Sequence, residues 1–346
     1  MLEDRLEDRL RRLPRAELHV HLDGSLRPET LIELAREYDR PMPSEDPAEL
    51  AERMRADDAT NLPDYLRRFE ITLSVLQRAE ALERAAYELA LDQWAEGVRY
   101  VEVRYSPILH TREGLPLTET VEAPLRGLRR AEEETGIRTG LIICGIRNMD
   151  PGTSRDLADL TVAFKGRGVV AFDLAGAEYN YPAKKHRDAF FTVINRNMPT
   201  TIHAGEAYGP ESIHQALHYC RANRIGHGTR LFEDPDLEAY VRNLRVPMEI
   251  CLTSNVQTGT VRDYASHPVR RYFDLDIVLT LCTDNVLVSG TTLTREYLLA
   301  HEHLDFTWDE LVRVARMGFE SAFLPWDEKK EMLANFDRAA AALGEG

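Results

Sequence analysis

Short runs of β-branched and apolar residues alternate with longer stretches of helical periodicity along almost the whole chain. The runs predict strands at 17–22 (ELHVHL), 98–105 (VRYVEVRY), 138–146 (RTGLIICGI), 169–175 (VVAFDLA), 199–204 (PTTIHA), 224–227 (RIGH), 246–252 (VPMEICL) and 277–283 (IVLTLCT). Between them, Ala79–Glu96, Thr118–Thr135, Ser154–Gly166, Glu211–Asn223 and Asp234–Leu244 carry apolar residues at helical spacing, with Gly or Asn near several ends. Strands alternating with helices indicate βα units around a parallel sheet, and eight of them predict an α/β fold, a single (β/α)8 TIM-type barrel spanning 1–346. A doubly wound sheet is the alternative, but no Gly-x-Gly-x-x-Gly turn follows the first strand.

One connection is too long for a simple βα loop. Residues 28–76 carry Pro41, Pro43 and Pro47, a helical piece over Pro47–Arg55, and then Leu62, Tyr65, Leu66 and Phe69. In a barrel this segment emerges at the C-terminal face, where sites are built, and it is expected to form a helical, lid-like insertion. An ornament with its own small core is the blander expectation. No internal repeat or low-complexity tract interrupts the pattern.

The composition, 43% hydrophobic and 29% charged over 346 residues, is that of a folded globular protein and excludes extended disorder or a fibrous architecture. Lys and Arg number 43 against 58 Asp and Glu, a formal net charge of −15. Such a surface repels phosphate backbones and anionic lipid, so nucleic acid and membrane are poor partners and a small molecule is expected. Cys144, Cys220, Cys251 and Cys282 are far apart, three of them in apolar runs, and read as reduced core thiols with no Cys-based zinc site. Without an apolar run of about 18 residues or an apolar leader in Met1–Arg12, the expected location is cytoplasmic.

The chemistry lies in where the ionisable residues fall. His19 and His21 are two apart on the first strand, and the period of two turns both to one side. His203 closes the fifth strand, His227 the sixth and Asp284 the eighth, all at C-terminal ends. A His-x-His pair alone fits a hydrogen-bonded core pair as well as a ligand pair. Five such groups at one end of a barrel are harder to explain by stability, because unpaired buried charge costs several kcal/mol. Three imidazoles and a carboxylate suit one Zn²⁺ per chain, held by His19, His21, His203 and Asp284 with one position left for water, whose pKa would fall from about 15.7 toward about 7. Iron, nickel and cobalt fit the same ligand types. His301 and His303 fall on a predicted helix, where positions two apart diverge by about 200°. His110, His186, His214, His218 and His267 lie in loops or helices and are expected to be surface or structural.

At these residues the chain resembles the adenosine deaminase family of the metal-dependent amidohydrolase superfamily. The resemblance rests on AELHVHLDGSLRPET (16–30), VEVRYSP (101–107), VVAFDLAGAE (169–178), TIHAGE (201–206), RIGHGTR (224–230), CLTSNVQTG (251–259) and LCTDN (281–285), in family order and spacing over nearly the whole chain. It implies a zinc-dependent hydrolase that converts adenosine or 2′-deoxyadenosine to the inosine product and ammonia. It also implies that His19, His21, His203 and Asp284 bind the metal, that Glu206 protonates purine N1, and that His227 orients the attacking hydroxide and helps move its proton; Asp284, on the metal and near the water, can also hold it in line. The backbone N–H of Gly176 would bind N3, and Asp23, with His21 beside it, the ribose 5′-hydroxyl. Asn285 stands where a second carboxylate in the family contacts N7; an amide can still donate there.

The runner-up readings are an adenine deaminase and a deaminase of a 5′-modified adenosine such as aminodeoxyfutalosine. Asp23 in HLDG favours a nucleoside over a free base within the resemblance. For the 5′-modified substrate, Arg27 could pair with a 5′ carboxylate, although a salt bridge to Glu29 or Glu33 is equally expected. Arg104 and Arg147 are expected to be structural ion-pair members. A catalytically silent barrel that only binds its ligand is the reading of a different class, and the intact Glu206 and His227 pair stands against it.

Overall fold

The computed structural model describes residues 2–344. Eight strands follow one another: β1 (Arg15–His21), β2 (Val98–Tyr105), β3 (Arg138–Ile146), β4 (Val169–Ala175), β5 (Thr201–Ala204), β6 (Arg224–His227), β7 (Met248–Ile250) and β8 (Leu279–Leu281). They pair in parallel in the orders β1-β2-β3-β4 and β5-β6-β7-β8. Parallel bridges between Phe172 and Thr200 and between Val20 and Asp284 join the two sheets at both seams and close the expected barrel.

Four strands keep their expected bounds, and the last two are cut shorter. The ladder stops after Leu281 because the Thr283 N–H donates to the Glu17 carboxylate (3.0 Å) instead of to β7. Beyond Ile250 the chain turns at once into the Leu252–Gln257 helix. Helix starts are set by proline: Pro28, Pro47, Pro151, Pro210 and Pro235 each open a helix, where the missing N–H costs no bond. The helix expected from Ser154 therefore begins at Pro151, with Asp150 accepting from the Gly152 N–H.

The strand period of two separates two environments. On β1, Ala16 packs toward Gly318 of the surrounding helices, while Glu17, His19 and His21 face the barrel axis with Glu102, Arg104, Asp173, Arg224 and Glu249. The barrel interior is thus a buried ionic lattice in place of aliphatic layers. Arg104 pairs with Asp173 (3.0 Å) and Glu249 (2.9 Å), and Arg224 with Glu249 (2.6 Å) and Glu102. Each of these five charges has a partner of opposite sign, which is what makes its burial tolerable, and Glu17 accepts instead from the His19 and Thr283 N–H groups.

Residues 28–76 form four helices, Pro28–Glu37, Pro47–Met54, Leu62–Leu66 and Phe69–Val75. Their buried side chains Leu31, Leu50, Met54 and Tyr65 belong to the same core as the barrel, so the insertion is not an ornament with a separate core. It is tied to the short helix Val286–Ser289 that follows β8 by the Ala56 N–H on the Val288 carbonyl (3.0 Å) and by Tyr65 Oη on Ser289 Oγ (2.7 Å).

Candidate active site

At the C-terminal ends of the strands lies a cavity of about 290 Å³, at the low end of small-ligand sites, roughly 300–1,000 Å³. Eight of the nine residues singled out from sequence line it: His21, Asp23, Gly176, His203, Glu206, His227, Asp284 and Asn285. The ninth, His19, is fully buried beneath, with its ring centroid 4.5 Å from that of His203 and 4.9 Å from that of His227.

His19, His21, His203 and Asp284 converge so that one ligand atom from each lies within 4.8 Å of the others. His21 Nε2 is 3.1 Å from His203 Nε2 and 3.4 Å from Asp284 Oδ1, and His19 Nε2 is 3.3 Å from the same oxygen. The outer ring nitrogens are fixed from behind: His19 Nδ1 on Glu249 (2.9 Å) and His203 Nδ1 on Asp173 (3.0 Å). Burial opposes the charge on both carboxylates, but Arg104 and Arg224 hold Glu249 ionised, and His203 and Arg104 do the same for Asp173. Ionised partners on Nδ1 leave each Nε2 lone pair free and facing inward. His19 Nε2 is buried and makes no hydrogen bond. An orphaned buried nitrogen opposite a carboxylate, beside two apposed imidazole nitrogens, is what a bound cation would satisfy, so the donor set fits a divalent metal.

Two strand-end turns at the site are strained, one of them carrying a metal-ligand candidate. His227 (φ 63°) and Asp284 (φ 59°) are left-handed although neither is glycine, a conformation costing on the order of 1–3 kcal/mol and concentrated at functional sites. Asp284 Oδ2 accepts from Ser254 Oγ (2.6 Å).

His227 Nε2 is 3.6 Å from Glu206 Oε2. Its Nδ1 faces Asn255 Nδ2 (3.2 Å), while Asn255 Oδ1 faces Thr229 Oγ1 (2.8 Å) and His267 Nε2 (3.1 Å). The amide therefore donates to Nδ1, and a neutral His227 carries its proton on Nε2, toward the cavity. Burial and the neighbouring His19 hold His227 well below the usual imidazole range. Burial, with Asp284 and Glu178 nearby, pushes Glu206 well above the usual carboxylate range. Glu178 accepts three backbone N–H groups, from Gly205 (2.7 Å), Glu206 (3.0 Å) and Tyr208 (2.8 Å), and so fixes the turn that carries Glu206.

Asp23 is buried, its Oδ1 without a partner and its Oδ2 3.9 Å from His110 Nε2; burial raises it to about 7. Gly176 sits at φ 92°, where a Cβ would fall 2.7 Å from Asn148 Oδ1. Arg27 is not at the cavity and does not pair with Glu29 or Glu33; it makes a two-pronged ion pair with Asp92 (2.6 and 2.9 Å) on the Ala79–Ala95 helix. Arg104 is the ion-pair member expected, whereas Arg147 is buried on the carbonyls of His203 and Tyr181. His110, His186 and His267 are buried and hydrogen-bonded, as expected of structural residues.

Sequence reasoning missed Asp173, Glu178, Glu249, Ser254 and Asn255. The available signal was charge inside apolar strands: Asp173 in VVAFDLA and Glu249 in MEICL interrupt otherwise hydrophobic runs.

A barrel that gathers three imidazoles and a carboxylate at one end, backed by buried acids, has the architecture of the metal-dependent amidohydrolases. The family model for adenosine deaminase matches residues 14–339. The chain is 42% identical over 335 residues to an adenosine deaminase of Mycobacteroides abscessus, covering 91% of this chain and 92% of that one. It is 40% identical to a probable adenosine deaminase of Dictyostelium discoideum over 94% of this chain, which spans only 42% of that longer protein. Among solved structures it superposes with a TM-score of 0.86 on an adenine deaminase from Arthrobacter aurescens, 26% identical and covering 94% and 98% of the two chains. The chain belongs to the adenosine deaminase family, hydrolases that act on C–N bonds. No helix among the described residues is long and apolar enough to cross a membrane.

Proposed function

We propose that this chain hydrolyses the 6-amino group of adenosine or 2′-deoxyadenosine, releasing inosine or deoxyinosine and ammonia. The observation that carries the reading is the buried Glu206, pushed toward its neutral form and placed within 3.6 Å of His227 beside the ligand cluster.

His19, His21, His203 and Asp284 would hold a single Zn²⁺, which when bound supplies the Lewis acidity that makes water nucleophilic near neutral pH. The rest of the chemistry belongs to the chain. Adding oxygen to C6 breaks aromaticity and drives negative charge onto N1, so a proton delivered there by neutral Glu206 lowers the barrier. The Nε2–H of His227 faces the cavity and stabilises the oxygen being added at C6. The C6–N bond then breaks: one proton of the attacking water leaves with the ammonia, and the other, released as the C6 oxygen becomes a carbonyl, returns to Glu206. Gly176, whose left-handed backbone (φ 92°) disfavours any side chain, offers its N–H to N3, Asn285 offers its amide to N7, and the unpartnered Asp23 carboxyl receives the 5′-hydroxyl.

An uncharged 5′ group fits the wall better than an anionic one. Arg112 is the only guanidinium or ammonium among the described residues lining the cavity, and it is already paired through two contacts with Glu70 (2.7 and 3.1 Å). With Arg27 occupied by Asp92, no free cation awaits a 5′ carboxylate or phosphate. Turnover of adenosine, 2′-deoxyadenosine, adenine, AMP and aminodeoxyfutalosine tests the reading: kcat/KM should be highest for the two nucleosides, and a preference for the free base or an anionic 5′ group would overturn it.

A further inference from the structure

Tyr65 belongs to the insertion, yet it lines the cavity and its hydroxyl ends against Asn285. The side chain is 1% exposed. Its Oη lies 2.8 Å from Asn285 Nδ2 and 2.7 Å from Ser289 Oγ. Asn285 is 2% exposed and lines the cavity, and its Oδ1 has no hydrogen-bond partner. That oxygen occupies the place a side chain on Gly24 would take, 1.8 Å from an ideal Cβ. Among the described residues, the Asn285 amide makes one side-chain hydrogen bond, to Tyr65.

A buried amide left with an unused N–H points to a ligand that accepts it. Purine N7 is an acceptor only. An amide can serve it only with Nδ2 turned the right way; reversed, it would set oxygen against the N7 lone pair. The two orientations are nearly isosteric, so the choice falls to the hydrogen-bonding partner. Asn285 Nδ2 donates to the Tyr65 hydroxyl, which is then free to donate to Ser289 Oγ, and this holds Nδ2 toward the ring with its second hydrogen left for the ligand.

We infer that Tyr65 is a positioning residue for purine recognition, which fixes the Asn285 amide as a donor to N7 and ties that recognition to docking of the insertion. The inference rests on the reading of Asn285 as the N7 contact. Phenylalanine at 65 would keep the ring packing and lose the selection.

The test measures dissociation constants of inosine and 7-deazainosine, which differ at position 7 alone, by calorimetry on the intact enzyme, on Tyr65→Phe and on Asn285→Ala. The 7-deaza/inosine ratio is read within each protein, so loosened packing that weakens both ligands together does not move it. The wild-type ratio should be about tenfold or more, with Asn285→Ala bringing it near one and Tyr65→Phe reducing it at least about fivefold, the scale of one hydrogen bond. A ratio that collapses in Asn285→Ala but stays at the wild-type value in Tyr65→Phe overturns the inference and leaves the N7 contact standing. A wild-type ratio near one, or one unchanged by Asn285→Ala, overturns the N7 contact itself.

Discussion

The Nδ1 of His203 lies 3.0 Å from Oδ2 of Asp173, a carboxylate with no exposed surface that also pairs with Arg104 at 3.0 Å. This backing fixes the tautomer that turns the Nε2 lone pair of His203 toward His19, His21 and Asp284. Partners of this kind tune a ligand's basicity as well as its direction. Asp173→Asn should therefore lower metal affinity by roughly 10–100-fold while the fold persists. Competition with a chelator of known affinity measures this, and an unchanged affinity would show that Asp173 serves only Arg104.

Glu206 is held by a different device. Glu178 accepts the N–H groups of Gly205, Glu206 and Tyr208 and adds negative charge nearby. Glu206→Gln keeps the shape and removes the transferable proton. The deamination rate should fall by roughly 10²–10⁴ with metal content near normal. Turnover near the wild-type rate would remove Glu206 from the proton-donor role.

Gly176 tests the close approach of backbone to ligand. Its φ of 92° is left-handed, so any side chain there is strained, and a Cβ 2.7 Å from Asn148 Oδ1 would push that amide aside. Gly176→Ala should raise KM more than it lowers kcat and reduce thermal stability by about 1–2 kcal/mol, the scale of a strained left-handed residue. A variant with wild-type KM would show that the strand end can shift without loss.

Away from the metal cluster, Glu296 is buried and accepts from the Thr253 and Thr291 hydroxyls, and burial raises it to about 7. The unfolded chain binds this proton less tightly, near 4.3. The contribution is fully present below that value and is lost as pH rises through about 7, a swing on the order of 3 kcal/mol. Glu296→Gln should flatten the fall in melting temperature between pH 5 and 8. An identical slope in both proteins would show that Glu296 does not couple to folding.

The barrel and its ligand set were legible because both follow from local rules. Strand–helix alternation predicts parallel βα units, and a period of two puts His19 and His21 on one side. The rest depends on partners far away in the chain. Glu249 reaches His19 across 230 residues and Asn255 reaches His227 across 28, and nothing beside either residue in sequence announces the pairing. The barrel's ionic interior was only partly legible for the same reason: Arg104 was expected in an ion pair, but its partners Asp173 and Glu249 lie 69 and 145 residues away. Arg27 went the other way: local spacing suggested Glu29 or Glu33, and the fold supplied Asp92 instead.

Deamination by this chain would require a metal held by His19, His21, His203 and Asp284. Elemental analysis of the purified enzyme, followed by exhaustive chelation and stepwise return of Zn²⁺, measures this directly. About one transition-metal ion per chain is expected, with deamination lost on chelation and restored by one equivalent. A metal-free preparation that deaminated adenosine at the full rate would contradict it.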